Sequence, residues 1–215
     1  MDAGARAAFV TARCPLRPVP GLPGISLHLA DDAFGLWEAT EAEAGQADLP
    51  PPYWAFGWPG GVALARYLLD HHGLVAGRAV LDLGSGSGLT AIAAAQAGAA
   101  AVLASEIDPL AVTAIGLNAQ ANGVSVTVTG DVLDGTGEGA DVVIAGDVWY
   151  ASNLAERALG LLERARARGA EVLAADVGRR FLPRASMRGL ASYEVPVSAE
   201  LEGAAVRRAE ILTLR

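Results

Sequence analysis

Lysine is absent from the 215-residue sequence: all sixteen basic residues are arginine. A phosphate loop of the Walker type needs a lysine, so that class of nucleotide hydrolysis is excluded. The chain also has no lysine of its own for an amine-directed activity to modify. Cysteine is nearly absent: Cys14 stands alone, which rules out an internal disulfide and a cysteine-built metal centre. The three histidines, His28, His71 and His72, lack any HExxH-like spacing, and adjacent positions on a helix point apart, so no metal is expected. No stretch of about 18 apolar residues occurs, and Met1 to Arg13 lacks the basic start and apolar block of a signal peptide. A cytoplasmic protein with no membrane partner is expected. There is no GxSxG elbow for a serine nucleophile. Positive charge is in deficit, 16 basic against 24 acidic residues, for a net charge of −8. That balance disfavours a nucleic-acid partner and suits a cationic one.

Apolar residues are plentiful, at 52%, enough for the core of one α/β domain. Residues 1–24 contain Pro15, Pro18, Pro20 and Pro23 and are expected to form an irregular arm rather than a helix. Ile25 to Leu29 alternates as a strand, 31–48 is acidic and partly helical, and Pro50-Pro51-Pro52 stops any helix. Glu38 and Glu41 read as a solvated face. Val62–His72, Leu89–Ala97, Pro109–Ala121, Ser152–Arg168 and 180–188 read as helices, with Ser152 or Asn153 as a cap. Ala79–Leu83, Ala101–Ser105, Val124–Thr129, Val142–Ala145 and Val172–Ala175 read as strands between them. Ser192–Val197 and Arg207–Leu214 read as a final antiparallel pair. The alternation predicts an α/β fold: a Rossmann-like, seven-stranded, mostly parallel sheet with helices on both faces and an antiparallel last strand. Residues 1–58 are expected to form a short extension that covers the site, and 59–215 the main domain.

The strongest chemical signal is Val80-Leu81-Asp82-Leu83-Gly84-Ser85-Gly86-Ser87-Gly88, a strand running into a glycine loop. Glycines let the backbone turn tightly and approach a ligand closely. The Gly84-x-Gly86-x-Gly88 spacing departs from the GxGxxG of dinucleotide folds. Asp82 at the strand end can accept from a ligand amino group, directly or through water. Glu106, ending the next strand, can accept two ribose hydroxyls, and Asp131, after the third, can accept from an adenine amino group. Three acids at three consecutive strand ends point to one ligand edge of the sheet. Caps for helices and turns are the alternative use of such acids.

Val80 to Gly88, Ser105-Glu106-Ile107-Asp108-Pro109 and Gly146-Asp147-Val148-Trp149-Tyr150 together resemble the seven-strand lysine methyltransferases. The resemblance is to the electron transfer flavoprotein β-subunit lysine methyltransferase family and its bacterial relatives. It also rests on residues 52–61 (PYWAFGWPGG), 63–70 and Asp176-Val177-Gly178-Arg179, and covers about residues 20–215. The resemblance implies S-adenosylmethionine as cofactor and S-adenosylhomocysteine as product. It implies cofactor contacts from Trp58, Asp82, Gly84, Ser85, Gly86, Gly88, Glu106, Ile107, Asp131, Val132 and Gly146. Asp147 is the expected acceptor-binding carboxylate, with Trp149 and Tyr150 walling its channel or, alternatively, packing beneath the next helix. Trp54 and Trp58 have the same two readings, cover or core anchor. The family's acidic stretch after the tyrosine is replaced by Ala151-Ser152-Asn153, Glu106 stands for the usual Asp, and Val177 for a common Pro. The expected acceptor is a protein with an exposed lysine. A small-molecule N- or O-nucleophile, or a cofactor-binding module without catalysis, are the alternatives.

Overall fold

The computed structural model describes residues 1–137 and 139–215. Five strands run parallel: β3 (Ala79–Leu83), β4 (Ala101–Ser105), β5 (Thr127–Thr129), β6 (Val142–Gly146) and β7 (Glu171–Asp176). With β8 (Met187–Pro196) and β9 (Val206–Leu214) they form one sheet in the order β5-β4-β3-β6-β7-β9-β8. Only β9 is reversed, pairing antiparallel with β7 and β8. The order reverses on either side of β3, which places a crevice at its carboxyl end.

The central strands are apolar on both faces, as a sandwiched parallel sheet requires. Val80, Val142, Ile144 and Leu173 pack with helices α3 (Pro59–Asp70), α4 (Leu89–Gln96) and α5 (Pro109–Ala121). The alternate residues Leu81, Leu83, Val143 and Val172 pack against α6 (Ser152–Ala167) on the opposite face. Alternation with period two divides one strand between two cores.

The first 24 residues differ from the irregular arm expected. A helix, α1 (Ala3–Arg13), precedes a hairpin of β1 (Leu16–Val19) and β2 (Leu22–His28). All four prolines lie beyond α1, so none interrupts it, and Asp2 caps it by accepting from Ala5 N–H at 2.8 Å. Pro18 is tolerated in β1 because its partner Ser26 turns both backbone groups away to Asn122: Ser26 N–H donates to Oδ1 at 3.0 Å, and Nδ2 donates to Ser26 O at 2.6 Å. One α5 turn earlier, Asn118 Oδ1 accepts from His28 N–H at 2.8 Å. Two asparagines four apart thus match two strand residues two apart and seal an open edge. Asn122→Ala is expected to cost about 1–3 kcal/mol of stability, the penalty for orphaned partly buried amide groups, measured by denaturant unfolding.

Residues 180–186 form turns and 187–188 open β8 instead of the expected helix over 180–188, because Pro183 falls mid-segment and has no N–H for the helical ladder. β8 accordingly starts at Met187 rather than Ser192. α6 starts at Ser152 with Ala151 at its cap position and no capping side chain, so neither Ser152 nor Asn153 serves as one. A short helix, α7 (Ala199–Glu202), joins β8 to β9. Among the described residues no helix is long and apolar enough to cross a membrane.

Candidate active site at the carboxyl edge of the sheet

The loop after β3 runs through three left-handed glycines, Gly84 (φ 64°), Gly86 (φ 55°) and Gly88 (φ 82°). Side chains rarely adopt this conformation. A Cβ on Gly84 would stand 3.1 Å from Val148, and one on Gly88 3.3 Å from Ile115. The loop is pinned from neighbouring elements. Ser85 N–H donates to Ser105 O at 3.1 Å, Gly86 N–H to Glu106 Oε2 at 2.9 Å, and Asn118 Nδ2 to Ser87 O at 2.8 Å.

Asp82 lies buried beneath this loop. One oxygen, Oδ2, accepts from Ser85 Oγ at 2.5 Å and Thr90 Oγ1 at 2.7 Å, while Oδ1 has no partner. Burial pushes its carboxyl up to about 6 against the pull of those hydrogen bonds. Glu106 directly follows β4, its Oε1 accepting from Ile107 and Asp108 N–H at 2.7 and 3.1 Å. Ile107 beside it is 74% exposed, an unusual position for a large apolar side chain. Asp131 accepts from Leu133 N–H at 2.8 Å and pairs with Arg157 at 3.0 Å; Val132 next to it is buried. β3, β4 and β5 are adjacent, so the three acids expected at one edge do share it. Their settings differ: Asp82 inside, Glu106 at the loop, Asp131 on the rim.

The second half of the site lies at the end of β6. Asp147 adopts φ 57° and donates its own N–H to Ala175 O at 3.0 Å. Asparagine and aspartate tolerate this region best among residues with a side chain. Its carboxylate is 8% exposed. Oδ2 accepts from Gly61 N–H in the first turn of α3 at 2.8 Å, and Oδ1 faces Arg179 Nη2 at 3.2 Å. Burial pushes Asp147 up to about 7, with Arg179 pulling it down and Asp176 adding to the rise. The approach of α3 depends on small residues: a Cβ on Gly146 would meet Gly61 Cα at 3.0 Å.

Tyr150 is half exposed, and its ring centroid lies 5.2 Å from that of Tyr53. Tyr53 contacts Trp58 edge-on at 5.9 Å, and Trp58 Nε1 donates to Tyr53 O at 2.8 Å. Tyr53, Trp58 and Tyr150 thus form an aromatic group, and its Trp58 ring centroid lies 5.5 Å from the Arg179 guanidinium that pairs with Asp147. Trp149 does not belong to it. Contrary to the expectation that it walls a channel, Trp149 is fully buried in the core under α6, the alternative use of this ring, while its neighbour Tyr150 is half exposed. Trp54 is likewise a core anchor. Sequence reasoning gave no role to Tyr53, Gly60, Gly61, Arg179 or Glu202; the run Pro52 to Gly61 was its only pointer to the first three. Among the described residues no cluster of His, Cys, Asp or Glu could hold a metal ion.

A glycine loop with a carboxylate and a bare apolar side chain, at the same sheet edge as a buried carboxylate and an aromatic group, can hold a nucleoside next to a cationic group. Residues 63–168 match the family model for ribosomal protein L11 methyltransferase (PrmA). The chain is 42% identical over 190 residues to the electron transfer flavoprotein beta subunit lysine methyltransferase of Mus musculus, covering 84% of this chain and 72% of that one. It is 40% identical over 187 residues to the protein of the same name from Danio rerio, covering 84% and 71%. Among solved structures, the 16S rRNA N2 G1207 methyltransferase of T. Thermophilus, in complex with AdoMet and guanosine, superposes with a TM-score of 0.56 at 19% identity. That match covers 94% of this chain and 50% of that one, and it speaks for the fold. Likeness at this level across most of both chains is a family relationship: this is an S-adenosylmethionine-dependent methyltransferase, and it belongs to the electron transfer flavoprotein β-subunit lysine methyltransferase family.

Proposed function

We propose that the protein transfers methyl groups to the side-chain amine of a lysine in a protein acceptor, with the electron transfer flavoprotein β-subunit as the first candidate. The observation that carries this reading is Asp147, a buried carboxylate held in a left-handed corner by Gly61 N–H and Arg179, three residues before the half-exposed Tyr150 whose ring meets Tyr53.

The residues at the edge fit the cofactor. Asp82 Oδ1 is a buried acceptor without a partner, suited to an amino group. Glu106 offers a carboxylate for the ribose hydroxyls. Ile107 offers an exposed apolar face for the base, and Asp131 and Val132 border its amino edge. The backbone of Gly84, Ser85, Gly86 and Gly88 lines the middle, and Gly146 and Trp58 close the end nearest Asp147. Once bound, S-adenosylmethionine supplies a methyl group already activated on a sulfonium. The protein's own task is to position a nucleophile and keep it reactive. A free lysine has a pKa of about 10.4, so its neutral form costs roughly 4–5 kcal/mol near neutral pH. Asp147 attracts and orients the ammonium, with the Val148 carbonyl as a second acceptor. Its raised proton affinity makes it a first stop for the proton that must leave. Tyr53, Trp58 and Tyr150 exclude water and favour a cation through their ring faces.

The test is incubation with methyl-labelled cofactor, the purified flavoprotein β-subunit of the same organism and a cell extract. Label on a lysine of the β-subunit is expected. Label only in small molecules or nucleic acid would overturn the reading, and binding of cofactor with no transfer at all would favour a module without catalysis. Glu106→Ala is expected to weaken cofactor binding by about ten- to a hundredfold, the worth of charge-assisted hydrogen bonds, measured by calorimetry. Its acceptor KM should stay unchanged.

A further inference from the structure

Arg179 follows β7 in a tight turn, where its N–H and that of Gly178 both donate to Asp176 Oδ1, at 2.5 and 2.6 Å. Its guanidinium sits among three acids. It lies 3.2 Å from Asp147 Oδ1, 2.9 Å from Glu202 Oε1 and 4.0 Å from Asp176 Oδ2, which has no hydrogen bond of its own. It also lies 5.5 Å from the Trp58 ring centroid. Glu202 is the last residue of α7, its side chain is only 6% exposed, and its other oxygen lies 3.5 Å from Arg207.

This arrangement poses a competition. Asp147 Oδ2 is committed to Gly61 N–H, so Oδ1 is the oxygen left for an incoming ammonium, and Arg179 already occupies it. The contact with Glu202 is the shorter of the two, and Asp176 and Trp58 are further partners that do not depend on Asp147. We infer that Arg179 is a positioning residue with two posts: it neutralises Asp147 while no acceptor is present and is retained by Glu202 when the lysine ammonium takes its place. The inference rests on Asp147 being the acceptor carboxylate. It makes α7, the segment between the last two strands, part of acceptor recognition although no motif marks it.

The charged groups facing Asp147 are Arg179 and Asp176 from β7 and its turn, the α3 terminus at Gly61, and Glu202 on α7, with Arg207 of β9 behind Glu202. In R179Q, Asp147 loses its nearest cation, so it ionises at higher pH. R179Q should therefore label the β-subunit several-fold more slowly than the wild type at about pH 6.5 and at least as fast at about pH 9, where Asp147 is ionised in both. R179K should restore most of the rate at the lower pH. E202Q should raise acceptor KM about tenfold in the wild-type background and less than about twofold in R179Q, because Glu202 acts through Arg179. A loss in R179Q by the same factor at both pH values, or an equal effect of E202Q in both backgrounds, would overturn the inference. A readout without turnover separates it from the proposed function. The carboxyl carbon resonance of Asp147, assigned by its loss in D147N, should titrate higher in R179Q and return in R179K. An unmoved titration sinks the two-post arrangement whatever the acceptor; failure of the wild type to label any protein sinks the lysine reading instead.

Discussion

Asp147→Asn is expected to slow methyl transfer by about a thousandfold, close to 4 kcal/mol of lost transition-state stabilisation, while cofactor affinity stays within about twofold. The size follows from the chemistry. Without the carboxylate, the lysine ammonium loses both its counter-charge and its nearest proton acceptor, and the cost of its neutral form is of that order. Asparagine is the informative replacement. It tolerates the left-handed backbone at this position, and its amide oxygen can still accept from Gly61 N–H. Alanine would add backbone strain and an orphaned amide to the chemical loss. Equal loss of cofactor binding and transfer would remove the role assigned to Asp147. The same variant has a signature in the apo protein. Asp147 ionises in the unfolded chain near its ordinary value and in the folded chain only near 7, because of burial. Between those values the unfolded state sheds the proton first, so stability falls as pH rises through that window. Asp82, held up to about 6 by burial, acts in the same direction. The melting temperature should therefore rise on acidification from about pH 7 to about pH 5, and D147N should show a smaller rise.

Gly60→Ala should abolish activity and cost about 3 kcal/mol of stability or more, at the upper end of overpacking effects. Its neighbour Gly61→Ala should be neutral or stabilising by up to about 1 kcal/mol. Both glycines lie in the first turn of α3, where alanine is the better helix former. Their surroundings decide the sign. A Cβ on Gly60 would stand 2.6 Å from Asp147 Oδ2 and 2.7 Å from the Ala175 carbonyl oxygen. The carbonyl belongs to a sheet strand and cannot give way, and the carboxylate would be driven off its post. A Cβ on Gly61 would meet nothing nearer than Leu89 at 3.9 Å. Thermal melts and methyl-transfer assays of the two variants check the contrast; equal effects would show that α3 can slide on the sheet end.

Much of the frame was legible in the order of residues. Short continuous apolar runs such as Val142 to Ala145, alternating with helical stretches, admit few arrangements other than a parallel sheet covered on both faces, and the loop from Gly84 to Gly88 marks its ligand edge. Asp82, Glu106 and Asp131 could be placed at adjacent strand ends because strand ends follow from local pattern. The first helix is hidden in the proline content of residues 1–24, because all four prolines lie past Arg13. The segment 180–188 has apolar residues that mimic a helix, while Pro183 forbids one.

The amino-acid sequence by itself determined the strand-and-helix alternation, the glycine turn and the acid at each strand end, since these depend on backbone sterics and neighbours in the chain. Only the tertiary structure decided which groups surround Asp147. Gly61 and Arg179 lie 86 and 32 residues away and meet it, and Glu202, 55 residues away, meets Arg179, because the sheet gathers α3, the β7 turn and α7 at one edge. It also decided that Trp149 is core and Tyr150 surface. Two adjacent aromatics look alike in a sequence, and burial depends on which face of the sheet end each side chain leaves, a property of packing rather than of residue type.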